Sequence, residues 1–230
     1  MVKAAILRPP PLGRLGWEAL AGFELARLLA ASPGLVRAPS GERGVLVLPG
    51  FAANDVSTLP LRAFLRQLGH SVTGWGFGRN RGDVAGLVPR VASLARKLSE
   101  RHGEPVHLIG QSLGGVLARE VARDHPNSVA QVLTLGTPVV GGPAYTALHR
   151  RYAAQEIAAI DATVRKRNRV PIDVPITAVY SKRDGIVNWR ACLDTVNPRA
   201  TNVEVGSSHL GMGIDPAVWR LAARLLATGV

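Results

Sequence analysis

The apolar positions of this chain fall into two alternating patterns. Short continuous apolar runs, flanked by glycine, proline or polar residues, have the length of buried strands. Six such runs are present, and they are "GVLVLP" (44–49), "HSVTGWG" (70–76), "PVHLIG" (105–110), "SVAQVLTLG" (128–136), "PITAVYS" (175–181) and "TNVEVG" (201–206). The stretches around them with apolar residues at helical spacing are 16–31, 57–69, 84–102, 113–125 and 216–227.

This alternation of strands and helices predicts an α/β fold. Strands that are apolar along their whole length are buried on both faces, which is typical of a mostly parallel sheet with helices on both sides. The first predicted helix, residues 16–31, is expected to end at "SPG" (32–34). Because such sheets hold their ligands at the carboxyl ends of the strands, the residues directly after each strand are the candidates for chemistry.

The stretch "GQSLG", Gly110 to Gly114, stands between a predicted strand and a predicted helix. A nucleophile on a sharp strand-to-helix turn needs glycine two positions to either side, because strand and helix approach closely there. The start of the helix behind Ser112 favours developing negative charge. The pattern therefore favours Ser112 as a nucleophile, and the alternative is a structural turn that happens to contain serine.

A serine hydroxyl needs a base to take its proton. His209, in "VEVGSSHLGMG", comes directly after the last predicted strand, so we expect it at the same sheet edge as Ser112. The alternative is a solvated loop histidine. His70, His102 and His125 stand at element boundaries beside polar residues and are interpreted as surface groups.

The base in turn needs an acid that orients its imidazole and stabilises the protonated ring. Asp184, in "VYSKRDGIV", follows the fifth predicted strand by a few residues and is expected at the same edge. Asp194, ten residues further on, is the alternative. The three candidates occur along the chain in the order serine, aspartate, histidine.

Acyl chemistry also needs two backbone N–H donors for the oxyanion of a tetrahedral intermediate. The amide of Leu113, directly after the candidate nucleophile, is the first. The second is the amide of Phe51 in the "PGF" turn after the first strand, where Gly50 lets the chain turn close to the site. The alternative is that this segment is an ordinary turn.

Residues 143–170 lie between two predicted strands and are about twice as long as an ordinary crossover. Apolar residues recur there at near-helical spacing, and basic residues stand on the opposite side. The apolar residues are Tyr145, Leu148, Tyr152, Ile160 and Val164. This pattern predicts an inserted helical cap over the strand ends. An ordinary sheet-covering helix with a long loop is the alternative.

Composition limits the classes of partner. The 230 residues carry a net charge of +12, but the 24 arginines are scattered and only 5% of residues are aromatic. Few aromatic side chains are available to stack on bases, so we do not expect nucleic-acid binding. The single cysteine, Cys192, excludes an internal disulfide and is expected to be a buried apolar residue. A cytoplasmic location fits this, or a secreted one if a leader has been removed.

The motifs together resemble the α/β-hydrolase fold, and within it the small bacterial lipases and lipase-like serine esterases. The resemblance is carried by "VHLIGQSLGG", "VLTLGTP", "VYSKRDGIV" and "NVEVGSSHLGM", and it covers about residues 44–228. We therefore expect an N-terminal extension with an amphipathic helix over 1–43 and a catalytic domain over 44–230, with 143–170 as its cap. Pro49 and Gln111 depart from the family, which commonly has histidine at both positions.

The resemblance implies hydrolysis of a small-molecule or lipid carboxylic ester through an acyl-enzyme on Ser112, without a metal or other cofactor. A thioesterase or acyltransferase with the same three residues, or a non-catalytic binding member of the fold, are the alternatives. We hypothesise that the apolar side of the cap covers an acyl pocket. We also hypothesise that its basic cluster "RKRNR" (165–169) contacts an anionic lipid interface.

Overall fold

A computed structural model describes residues 7–35 and 37–228. Six strands form one sheet in the order β2-β1-β3-β4-β5-β6, and every neighbouring pair is parallel. The strands are β1 (Gly44–Leu48), β2 (Ser71–Gly74), β3 (Val106–Gln111), β4 (Val129–Leu135), β5 (Ile176–Tyr180) and β6 (Ala200–Glu204). The predicted parallel sheet is confirmed.

The α-helices lie largely where the apolar spacing predicts them. They are α1 (Ala21–Leu35), α2 (Leu59–Gln67), α3 (Val84–His102), α4 (Leu113–Asp124), α5 (Ala154–Arg167) and α6 (Pro216–Thr228). No helix in 7–35 or 37–228 is long and apolar enough to cross a membrane.

The first predicted helix differs from the observed one at both ends. A 3₁₀ helix, Leu12–Leu20, leads directly into α1, and α1 continues through Pro33 to Leu35 instead of ending at "SPG". Leu28 and Leu35 are buried in the core. Their packing outweighs the weak helix propensity of the Ser-Pro-Gly stretch.

Successive residues of the central strands pack into two different cores, as the pleat requires. In β1, Val45 and Val47 face the layer formed by α1, α2 and α6, whereas Leu46 and Leu48 face the layer formed by α3 and α4. The expectation that every strand is apolar along its length is wrong for β6. That strand is at the sheet edge, and its Thr201 and Asn202 are exposed.

The order of the strands creates a crevice at the carboxyl ends of β1 and β3. The chain runs from β1 outward to β2 and then returns to place β3 on the other side of β1. The helix after β1 packs on one face of the sheet and the helix after β3 on the other. Such a switch point is where open α/β sheets bind their ligands.

The segment 143–170 contains less α-helix than its apolar spacing predicts. Short 3₁₀ turns, Gly142–Tyr145 and His149–Arg151, come first, and α5 begins only at Ala154. No residue of α5 is buried, so this helix belongs to neither core. The division into an extension, a catalytic domain and a cap stays a prediction.

A buried ion pair connects α4 to the segment before β6. The guanidinium of Arg119 lies 2.5 Å from a carboxylate oxygen of Asp194, and both side chains are almost fully buried. Burial alone raises the pKa of the Asp194 carboxyl, but Arg119 and the hydrogen bonds from Asn197 outweigh it, so this pKa lies below its ordinary value. Asp194 therefore has a structural partner.

We expect Asp194→Asn to lower the free energy of unfolding by about 3–5 kcal/mol, because it leaves Arg119 buried without its counter-charge. Chemical denaturation near neutral pH measures this loss. Since the folded-state pKa of Asp194 is depressed, its contribution is present above the unfolded pKa and is lost as the pH falls through the folded one. The difference between the two proteins should therefore shrink in acid, and equal stability at neutral pH would contradict the assignment.

Candidate active site

Ser112 occupies a sharp turn between β3 and α4. Its backbone angles are φ 51° and ψ −119°, and a positive φ is uncommon for a residue with a side chain. Ser112 is the residue that precedes the first turn of α4, yet its hydroxyl makes no capping hydrogen bond to that helix. The Ser112 hydroxyl is therefore not used to cap the helix.

Crowding on both sides of Ser112 explains the two flanking glycines. A Cβ atom at Gly110 would lie 2.4 Å from the carbonyl oxygen of Gly114, and a Cβ atom at Gly114 would lie 2.3 Å from the carbonyl oxygen of Leu48. Both contacts are with backbone, which has little freedom to move. The start of α4 thus packs against β1 and β3 at distances that only glycine permits.

His209 and Asp184 form a buried pair. Nδ1 of His209 lies 2.7 Å from Oδ2 of Asp184, and both side chains are almost fully buried. The other carboxylate oxygen of Asp184 accepts hydrogen bonds from the amides of Ile186 (2.9 Å) and Val187 (2.6 Å). With Nδ1 donating to the carboxylate, Nε2 is the ring nitrogen that remains to accept a proton.

The electrostatics of this pair favour the protonated imidazole. Burial by itself lowers the pKa of His209, but the charge and hydrogen bond of the Asp184 carboxylate, with a further contribution from Glu18, outweigh it. The pKa of His209 is therefore raised above its ordinary value. A histidine in this state takes up a proton more readily than one in water.

The segment that follows β4 connects Ser112 to the His209–Asp184 pair. The amide of Ser112 donates to the carbonyl of Leu135 (2.8 Å), and the hydroxyl of Thr137 donates to the carbonyl of Ser112 (2.9 Å). Between them, Gly136 has φ 58°, and a Cβ atom there would lie 2.8 Å from Nδ1 of His209. The three residues predicted from separate strand ends are thus gathered around one backbone segment.

Gln111, which departs from the family pattern, also supports this arrangement. Its side-chain amide donates to the backbone carbonyl of His209 at 3.0 Å. The residue next to Ser112 therefore holds the loop that carries the histidine.

The turn at Phe51 lies against Ser112. A Cβ atom at Gly50 would lie 3.3 Å from Cβ of Ser112. The buried side chain of Asn80 donates to the carbonyl of Pro49 (3.0 Å), and its backbone pairs with this turn. Within the described residues, neither the Phe51 nor the Leu113 amide donates to a protein acceptor.

Two carboxylates from the N-terminal segment, which no sequence motif indicates, hold the same loops. Glu18 accepts hydrogen bonds from the amides of Gly185 (2.9 Å), His209 (3.1 Å) and Leu210 (2.8 Å). Glu24, only 3% exposed, accepts from the amide (2.6 Å) and the hydroxyl (2.8 Å) of Ser208. The only local signal was the presence of two acidic residues in a predicted helix that is otherwise apolar except for Arg27.

Three other residues weighed from the sequence, Asp194, His70 and Cys192, take structural positions. Asp194, the alternative acid, is bound to Arg119 as described above. His70 is buried, against the expectation of a surface group, and its Nδ1 accepts a hydrogen bond from the amide of Arg43 (3.2 Å). Cys192 is buried as predicted, and burial raises the pKa of its thiol.

A cavity of about 680 Å³ opens beside Ser112. Phe51 and Leu113 line it near the serine, and α3 and α5 line its sides mainly with apolar residues such as Val88 and Ile160. Charged residues, Arg167 among them, also line it. Its volume is in the range of sites for small organic ligands. In the described part of the chain, no group of three or more His, Cys, Asp or Glu side chains is arranged to hold a metal ion.

Comparisons with known proteins show the fold. No protein-family model and no curated protein matches this sequence. Among solved structures, the chain is similar to Aspergillus fumigatus lipase B, with a TM-score of 0.62 and 18% identity, over 81% of this chain and 53% of that one. This chain thus spans about half the length of that lipase.

Two further similar structures match over most of both chains. The Paleococcus ferrophilus monoacylglycerol lipase has a TM-score of 0.61 and 15% identity, over 83% of this chain and 97% of that one. Alpha/beta hydrolase domain-containing protein 10 from mouse has a TM-score of 0.56 and 17% identity, over 82% and 90%. The chain has the α/β-hydrolase fold, as its motifs suggested.

We expect Gly114→Ala to destabilise the protein by about 1–3 kcal/mol or more, because the new methyl group meets the backbone of Leu48. Thermal or chemical unfolding measures the change. Gly22→Ala is the matched control, because nothing lies within 4 Å of a Cβ atom at Gly22. At the second residue of α1, this control should be neutral or stabilising. A Gly114→Ala protein as stable as the control would contradict the close packing of the turn.

Proposed function

We propose that this α/β-hydrolase-fold protein is a serine hydrolase that cleaves carboxylic esters through an acyl-enzyme on Ser112. The proposal is carried by the arrangement of Ser112 beside a buried His209–Asp184 pair. Ser112 lies on a strained turn, and its hydroxyl makes no capping hydrogen bond to the helix that follows. Two of the similar structures are named as lipases, which agrees with this chemistry.

In the proposed reaction, the Ser112 oxygen attacks the acyl carbon while Nε2 of His209 takes the hydroxyl proton. The tetrahedral intermediate collapses when the bond to the alcohol oxygen breaks, and His209 returns its proton to that oxygen. Water then attacks the acyl-enzyme in the same way, with His209 again as base. The products are the acid and the alcohol, and Ser112 regains its proton.

Asp184 orients the base and stabilises its protonated form in this proposal. Its second oxygen is fixed by the amides of Ile186 and Val187, so the carboxylate does not rotate away from the ring. The ring nitrogen that binds Asp184 is then fixed as well, which leaves Nε2 as the nitrogen that takes the serine proton in the proposed reaction.

The amides of Phe51 and Leu113 are the proposed donors to the oxyanion. Both belong to segments held rigidly, one by Asn80 and the other by the first turn of α4. Since neither amide has a protein acceptor within the described residues, both are available when negative charge develops on the substrate oxygen. The N-terminal end of α4 adds a favourable field at the same point.

The apolar walls of the cavity support an apolar acyl group as the substrate class. Val88, Val116 and Ile160 are among the side chains that line the cavity into which an acyl chain on Ser112 would extend. A thioesterase or acyltransferase would use the same three residues and differ only in the leaving group or the acceptor. The proposal takes the oxygen ester as substrate.

A panel of p-nitrophenyl esters, from acetate to palmitate, tests the proposal. We expect kcat/KM to rise from acetate toward longer chains, by up to about fourfold for each methylene group that the cavity buries.

Ser112→Ala should reduce kcat by a factor on the order of 10⁶, to the level of background hydrolysis. Ser57→Ala is the matched control, because this serine is exposed and outside the cavity. Undiminished turnover by Ser112→Ala would overturn the mechanism, and turnover of acyl thioesters alone would indicate the thioesterase.

The pH dependence of kcat/KM tests the proposed base. Only neutral His209 accepts the serine proton, and its pKa is raised, so activity should rise with pH around a midpoint above about 6.5. Asp184→Asn removes the charge that stabilises the imidazolium. The midpoint should then move to lower pH while kcat falls by about 10⁴. A midpoint that is the same in both proteins would contradict the assignment of the pair.

A further inference from the structure

The outward surface of the N-terminal segment is unusually apolar. Single exposed apolar side chains are normal, but seven large ones follow each other between residues 12 and 29. This set, called here the N-terminal apolar surface, consists of Leu12, Leu15, Trp17, Leu20, Phe23, Leu25 and Leu29. Phe23 and Leu29 are the most exposed of them, at 65% and 67%.

The inward side of the same segment holds its acidic residues. Glu18 and Glu24 are turned toward the protein and bind the loops that follow β5 and β6. An ordinary surface helix has the opposite arrangement, with its charged residues in solvent and its apolar stripe in the core. Here the segment exposes leucine and aromatic side chains, and its carboxylates form hydrogen bonds within the protein.

The charges that remain on the outside of the segment are positive. Within residues 7–35 the ionised side chains other than Glu18 and Glu24 are Arg8, Arg14 and Arg27. No carboxylate side chain of the described residues forms an ion pair with these arginines. Arg14 lies over the ring of Trp17, 5.5 Å from its centre. Apolar and aromatic side chains interspersed with arginine are typical of surfaces that lie at the boundary between lipid and water.

We propose that the N-terminal apolar surface docks on lipid bilayers that contain anionic phospholipids. The apolar side chains would enter the boundary between headgroups and acyl chains, and the arginines would meet the phosphates. A second copy of the chain is a poorer occupant. In a two-fold dimer the same surface faces itself, so the arginines of both copies would approach without carboxylates to neutralise them.

The docking surface is continuous with the proposed active site. Glu18 bonds to the amide of His209 and to that of Leu210, whose side chain is 54% exposed. A bilayer in contact with this segment therefore lies beside the loop that carries the base. If the proposed ester hydrolysis also holds, docking would bring the site to esters that reside in the membrane.

The basic cluster 165–169 is less suited to this role than the N-terminal segment. Arg167 is bound to Glu120 and Asp124, and Arg165 is bound to Asp161. These pairs neutralise two of the four positive charges of the cluster that a lipid headgroup would meet. The lipid contact suggested by the sequence is therefore assigned to a different surface.

Co-sedimentation with vesicles tests this proposal on the Ser112→Ala protein, so that the result does not depend on turnover. We expect binding to vesicles of phosphatidylcholine with phosphatidylglycerol, and weaker binding to phosphatidylcholine alone or at high salt. Adding Phe23→Ser and Leu29→Ser should weaken binding by roughly tenfold or more. The matched control is Val56→Ser with Val170→Ser, two exposed apolar residues outside the segment, and it should bind like the parent.

Fluorescence gives a second measurement that needs no destabilising variant. The emission of the parent should shift to shorter wavelength on addition of anionic vesicles, and Trp17→Phe should remove most of that shift. Absence of vesicle binding by the parent, or equal binding by the Phe23/Leu29 variant, would overturn the proposal. So would a dimer that these two substitutions dissociate without any vesicle binding. A failed ester assay would leave the vesicle result unaffected, so the two proposals fail separately.

Discussion

The close approach of α4 to β1 and β3 is the constraint on which the rest of the site depends. Glycine at 110 and 114 lets the helix begin directly against the backbone of Leu48, and this forces Ser112 into a positive φ. The same approach brings the Phe51 turn beside the serine, because that turn follows β1. The close packing of two strands and a helix therefore determines where the nucleophile and both candidate oxyanion donors lie. It also places the N-terminal end of the helix, with its favourable field, beside them.

Hydrogen-bonded carboxylates hold the other half of the site. Asp184 and Glu24 are buried and Glu18 is half-buried, and a carboxylate removed from water is costly unless its oxygens are hydrogen-bonded, as those of all three residues are. Asp184 is held by its own loop. Glu18 and Glu24 come from a segment nearly two hundred residues away in sequence and bind the loop around His209. The N-terminal segment is therefore part of the framework of the candidate site, while its outer surface stays apolar.

The sequence allowed the sheet, most helices and the grouping of Ser112, Asp184 and His209 to be predicted, because these follow from local periodicity and from the shared edge of parallel strands. It did not reveal Glu18, Glu24 or Gln111, since no local pattern encodes a hydrogen bond to a distant backbone amide or carbonyl. The end of α1 and the burial of His70 were mispredicted for a related reason. Tertiary packing determines where α1 ends and whether His70 is buried. The turn propensity of "SPG" and the position of His70 between two elements do not.

Covalent labelling determines whether Ser112 is an activated nucleophile. A fluorophosphonate, which reacts with an activated serine and resembles the tetrahedral intermediate, is incubated with the protein, and the site of modification is located by peptide mass spectrometry. We expect one phosphonyl group, located on Ser112, and loss of labelling in His209→Ala, because the hydroxyl is then no longer activated. Ester turnover by a protein whose Ser112 stays unmodified, or modification of a different serine, would contradict it.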